Sequence, residues 1–117
     1  MSFASSVYKH CKLDEKVMEF ETRERGIEAY QRKDFQAAID LLSASPPDLW
    51  DAQLYLGMSY YMIGRHVEAR DQFLKLKDSC PEKDIQSKAS AAFIAVNAKI
   101  KESQKIQELE DKEEIEW

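Results

Sequence analysis

The stretch Trp50-Asp51-Ala52-Gln53-Leu54-Tyr55-Leu56-Gly57-Met58-Ser59-Tyr60-Tyr61-Met62-Ile63-Gly64 decides the fold. Its apolar residues follow no period of two, so it does not read as a strand. They fall on more than one face of a helix, and a helix apolar nearly all round is a buried one. Ser45-Pro46-Pro47-Asp48 stands before it, where proline lacks an N–H and clashes with a preceding helical turn. Gly64 closes it, suited to a left-handed C-cap. The spacing predicts a helix from about Leu49 to Ile63.

The rest of the chain repeats this punctuation. Only three glycines and three prolines occur in 117 residues, so long helix-prone stretches run between breakers. Helices are predicted from Asp14, a plausible N-cap, to about Arg32, from Phe35 to Ala44, and from His66 to Ser79. A fifth starts near Glu82–Asp84 and meets no breaker afterwards. Segment 1–13 reads either as a backward extension of the first helix, carrying Val7 and Cys11, or as a loose end.

Composition narrows the function. With 44% hydrophobic and 33% charged residues, the chain suits one compact domain that buries roughly two-thirds of its unfolded surface. No apolar run nears the ~20 residues of a membrane span, and Met1-Ser-Phe-Ala-Ser-Ser lacks a signal-peptide profile. Cys11 and Cys80 are too few and too distant for a disulfide framework, so a reduced, cytoplasmic setting is expected. A net charge of −5 argues against a phosphate-backbone footprint, and nucleic acid is not an expected partner.

A shift of 31 residues lays Gly26 on Gly57, Tyr30 on Tyr61, Ala38 on Ala69 and Leu42 on Phe73; a shift of 34 lays Gly57 on Ala91 and Tyr60 on Ile94. Such a period marks a repeated helical hairpin. Glycine or alanine at the matched site lets two helices approach closely.

Leu56, Gly57, Tyr60, Ala69, Phe73 and Pro81 stand in the register of the tetratricopeptide repeat, which the segment from Trp50 to Pro81 resembles. Gln53 departs from the family's frequent Trp, and Leu76 from its Ala. Gly26, Ala29, Phe35, Ala38 and Leu42 fit a preceding, degenerate repeat in which Arg25 replaces the usual Leu. Ser90, Ala91 and Ile94 occupy the matching slots of a following first helix without a partner, as in a cap. The resemblance implies an all-α fold: antiparallel hairpins at about 19–45 and 50–80, stacked as a short right-handed solenoid over 14–98. A capping helix starts near residue 84 and continues through 99–117 into an acidic tail.

Chemistry is not expected. His10, Cys11, His66 and Cys80 lack metal-ligand spacing and lie in separate elements. A Cys–His nucleophile would need an orienting group and an oxyanion site, and no glycine-rich phosphate loop exists. No cofactor, metal or catalytic residue is implied.

The resemblance instead implies a concave binding face. The stripe Tyr55, Met58 and Met62 would line it with Leu54 and Tyr61, Ile27 and Tyr30 from the first helix, and Lys88, Ala89 and Ala92 from the fifth. The other reading makes these side chains core, covered by the N-terminal segment or the fifth helix. Tyr anchors with little entropy loss and Met adapts its shape, which suits a protein or peptide partner. Some family members clamp a terminal carboxylate with Lys and Asn; here Asp51, Leu54, Tyr55 and Met58 hold those slots, with Arg23 and Lys88 the only nearby cations. An apolar helix or extended segment is the expected ligand.

The tail from Glu108 to Trp117 reads as a solvated helix end, or as an acidic-aromatic anchor for a basic partner. Three roles suit this reading: a protein-binding adaptor, a bacterial secretion-type chaperone holding an aggregation-prone subunit, or a self-assembly unit whose groove takes the fifth helix or N-terminal segment of another copy. A monomer or small homo- or hetero-oligomer is expected.

Overall fold

The computed structural model describes the backbone of residues 2–115 and the side chains of residues 17–111. The described residues form five α-helices and no strand: α1 (Ser2–Gln31), α2 (Phe35–Leu42), α3 (Trp50–Met62), α4 (His66–Ser79) and α5 (Lys83–Ile115). Four of the five follow the predicted bounds within about two residues. The exception is α1, which runs through Asp14 instead of starting there. The chain meets no Gly or Pro before Gly26, so nothing local stops the helix propagating backward.

The two tight turns share one hydrogen-bonding scheme. After α1, Lys33 N–H donates to Tyr30 O (3.0 Å) and Asp34 N–H to Ala29 O (2.9 Å). After α3, Gly64 N–H donates to Tyr61 O (3.1 Å) and Arg65 N–H to Tyr60 O (2.9 Å). Both are Schellman closures, satisfying carbonyls that a helix end would leave orphaned. The left-handed residue is Gly64 (φ 84°) in one and Lys33 (φ 68°) in the other. Asp34 then caps α2, its Oδ1 accepting from Ala37 N–H at 3.3 Å.

Consecutive helices pack on one another, and α3 also touches both α1 and α5. Two cores result. Ala29, Ala38, Ile39, Leu42, Ala52 and Leu56 fill the space among α1, α2 and α3. Leu54, Ala69, Phe73, Leu76, Cys80, Ala89 and Val96 fill that among α3, α4 and α5. Helix α3 serves both, which is why its sequence is apolar on opposite faces.

The matched glycines sit at the tightest points. A Cβ on Gly26 would lie 2.6 Å from Leu42, and one on Gly57 would lie 2.7 Å from the Phe73 ring. Gln53, where the sequence departs from a Trp, ties three elements together. Its Nε2 donates to Pro46 O (3.1 Å), and Gln72 of α4 donates to its Oε1 (2.7 Å) and its main-chain O (3.1 Å).

Arg23 of α1 lies beside Asp51 at the start of α3 (3.7 Å), while Tyr30 meets Tyr55 one to two turns further along both helices. Helices α1 and α3 therefore run parallel. So does α5: Glu82 borders the cleft holding Asp51, and Ala92 and Ala95 lie beside Met58 and Met62. Both outer helices outlast α3, α1 beyond its start and α5 beyond its end. The chain spans 81 × 28 × 24 Å with a radius of gyration of 19.6 Å, against about 13 Å for a compact chain near this length.

Candidate functional site

Helices α1, α3 and α5 border an open apolar groove of about 280 Å³. Tyr30 forms one wall and Met58, Tyr61 and Met62 the centre; Ala92, Ala95 and Val96 form the other wall over the Phe73 ring. For scale, an engineered apolar cavity of roughly 150 Å³ accepts benzene, so the groove has room for about two apolar side chains.

Five residues expected at a binding face meet here: Tyr30, Met58, Tyr61, Met62 and Ala92. Met62 is 51% exposed and can be reached directly; Met58 and Tyr61 are half-buried, packed against the α3–α4–α5 core. Tyr61 is steadied by His66, whose ring centroid lies 5.3 Å away. Tyr30 is held edge-on between Phe35 (5.5 Å) and Tyr55 (5.2 Å), a preferred aromatic geometry. Burial pushes the Tyr30 phenol above its usual range, and the neighbouring Tyr55 adds to the shift.

The other expected residues are placed differently. Leu54 is 7% exposed and belongs to the core, so it presents no surface to a partner. Its position one turn before Met58 suggested a shared face, but α4 and α5 close over it. Ile27 and Tyr55 are half-buried against the α1–α2–α3 core; Tyr55 supports the groove through Tyr30 without lining it. Ala89 is fully buried. Lys88 is exposed, one turn before Ala92 on α5. Ala95 was missed by the sequence reading, although its i+3 spacing from Ala92 was the available signal.

A second, polar cleft of about 210 Å³ lies at the opposite end of α3, lined by Arg23, Asp48, Asp51 and Glu82 with Leu49 and Trp50. Arg23 is engaged by Glu24 (3.3 Å) and Asp51 (3.7 Å), and its guanidinium sits 4.4 Å from the Phe20 ring centroid. Three carboxylates around one paired cation make this cleft hostile to an anionic ligand.

Among the described residues, no group of three or more His, Cys, Asp or Glu is arranged to hold a metal ion. Cys80 is buried and unbridged, its Sγ directed to Glu82 O at 3.6 Å. The side chains of His10 and Cys11, and the Trp117 anchor suggested for the tail, lie outside the described residues. No described helix is long and apolar enough to cross a membrane. No family model, no curated protein and no solved structure matches this chain.

Proposed function

We propose that the chain is a small protein-binding adaptor of tetratricopeptide type, two hairpins and a long capping helix stacked as a short solenoid. It acts by non-covalent capture without catalysis or cofactor. The observation that carries this reading is the groove itself: an open, almost wholly apolar trough set on three parallel helices, with flexible Met62 and Met58 at its centre. A helix presenting two apolar side chains at i, i+3 or i+4 spacing fits its volume. The row α1, α3, α5, with α2 and α4 touching only sequence neighbours, supports the stacked arrangement. The acid-lined cleft around Arg23 speaks against a carboxylate clamp.

The test separates binding from folding. Met62→Ala removes atoms that are already half exposed and should cost under ~1 kcal/mol of stability. If Met62 is a binding hot spot, the same change weakens partner capture by ~2 kcal/mol. Pull-down from the native host with wild-type and Met58→Ala/Met62→Ala bait, alongside thermal melts, reads both. Partners held equally well by a folded double variant would end the groove assignment.

A further inference from the structure

Helix α5 carries a self-complementary stripe. The residues Lys88, Ala92, Ala95, Lys99, Glu102, Ile106, Leu109 and Glu113 recur at alternating spacings of four and three, the heptad seam of a coiled coil. From Lys88 to Leu109 this seam is exposed, except for half-buried Ala92. Read in opposite directions, it pairs with itself: Lys88 meets Glu113, Ala92 meets Leu109, Ala95 meets Ile106, and Lys99 meets Glu102. Each pair sets a cation against a carboxylate, or a small residue against a large one.

The charge of the whole helix divides the same way. Residues 83–101 contain four lysines and one carboxylate, Asp84, whereas residues 102–115 contain six carboxylates and two lysines. Antiparallel alignment of two α5 helices sets basic half against acidic half, and parallel alignment sets acid on acid. Among its described residues the acidic half has no packing of its own: every residue from 102 to 111 is exposed, including Ile106 (51%) and Leu109 (55%). Ala92 and Ala95, the residues facing them in this pairing, form a wall of the groove beside Met58 and Met62.

We propose that the groove's occupant is a second copy of this chain. Two molecules pair their α5 helices antiparallel about a twofold axis near residues 100–101, and each places Ile106 and Leu109 in the other's groove. This proposal rests on the groove reading and names its partner. The interface is isologous, so both grooves close at once and no open chain of molecules forms. The two Lys99–Glu102 contacts within the chains (3.8 Å), one in each molecule, are exchanged for two such contacts across the axis.

Charge reversal in the full-length protein tests it. Light scattering and sedimentation should find the wild type dimeric. Lys88→Glu/Lys99→Glu sets like charges opposite each other in its own dimer, as does Glu102→Lys/Glu113→Lys. Each variant should weaken dimerisation on the order of tenfold or more while melting as a folded helical protein. An equimolar mixture should restore a heterodimer, because every opposed pair is then of opposite sign. A wild type that stays monomeric, reversed variants that dimerise as well as the parent, or a mixture that fails to rescue would each overturn the proposal. None of these variants alters Tyr30, Met58, Tyr61 or Met62. Failure here therefore leaves the groove to its own test, and failure of Met58→Ala/Met62→Ala to affect capture is a distinct result.

Discussion

Two glycines set how closely the helices approach. Gly57 faces the ring of Phe73, which is 1% exposed and cannot swing away. Gly57→Ala gains roughly 1 kcal/mol of helix propensity, which offsets part of the clash. Gly57→Leu gains no more and adds three further heavy atoms at the same contact. We expect it to cost ~1–3 kcal/mol or more, read as a fall in the denaturant midpoint. Gly26→Leu should behave alike against Leu42. A Gly57→Leu protein that melts like its parent would mean that α3 and α4 are not in close contact there.

Tyr30 supplies a pH dependence. Its phenol is raised in the folded state by burial and then by Tyr55, so above about pH 10, the ordinary tyrosine value, the unfolded chain loses this proton more readily. Folding stability therefore falls as pH rises through 10 toward the raised folded value. Tyr30→Phe should lessen this alkaline loss in melts across pH 9–11, a range set around the ordinary tyrosine value of about 10. An unchanged alkaline slope would show that the Tyr30 hydroxyl contributes nothing to it.

At the scale of the element, the two Schellman turns make an internal comparison. They share their hydrogen bonds but not their left-handed residue, Lys33 in one and Gly64 in the other. A non-glycine residue there costs about 1–2 kcal/mol. Lys33→Gly should thus stabilise the protein by up to ~1 kcal/mol, and Gly64→Ala should destabilise it by about as much. No atom lies within 4 Å of a Cβ on Gly64, so that cost is conformational and not steric. Chemical denaturation of the two single variants reads the opposite signs directly.

At the scale of the molecule, α3 couples two small cores. Leu42→Ala lies in one and Leu76→Ala in the other, and each should cost ~2–5 kcal/mol. Because both cores share α3, the loss should fall on one cooperative transition. Circular dichroism and tryptophan fluorescence, to which Trp50 at the head of α3 contributes, are expected to report coincident midpoints in both variants. Two separated transitions in either variant would mean that the hairpins fold independently. The same architecture leaves α5 long and uncovered from 101 to 111, which is what makes its charge-divided seam available to a second molecule.

The sequence by itself determined the five helices, most of their ends and the glycine sites of close approach; the start of α1 escaped it, because no breaker precedes Gly26. Breakers are local, so Pro46-Pro47, Gly64 and Pro81 placed boundaries without knowledge of the fold. The 31-residue offset matched Gly26 with Gly57 as sites of close helix approach, and the structure supplied their neighbours, Leu42 and Phe73. Only the tertiary structure decided which face of α3 is groove. Periodicity tells which residues share a face, not which neighbour covers it, and α3 is apolar nearly all round. Leu54 and Met58 are one turn apart, yet α4 and α5 bury the first and leave the second at the groove. Tyr55 likewise became a support behind Tyr30, and Ala95 a wall, because the position of α5 beside α3 is set by contacts between residues far apart in the chain, such as Met58 and Ala92.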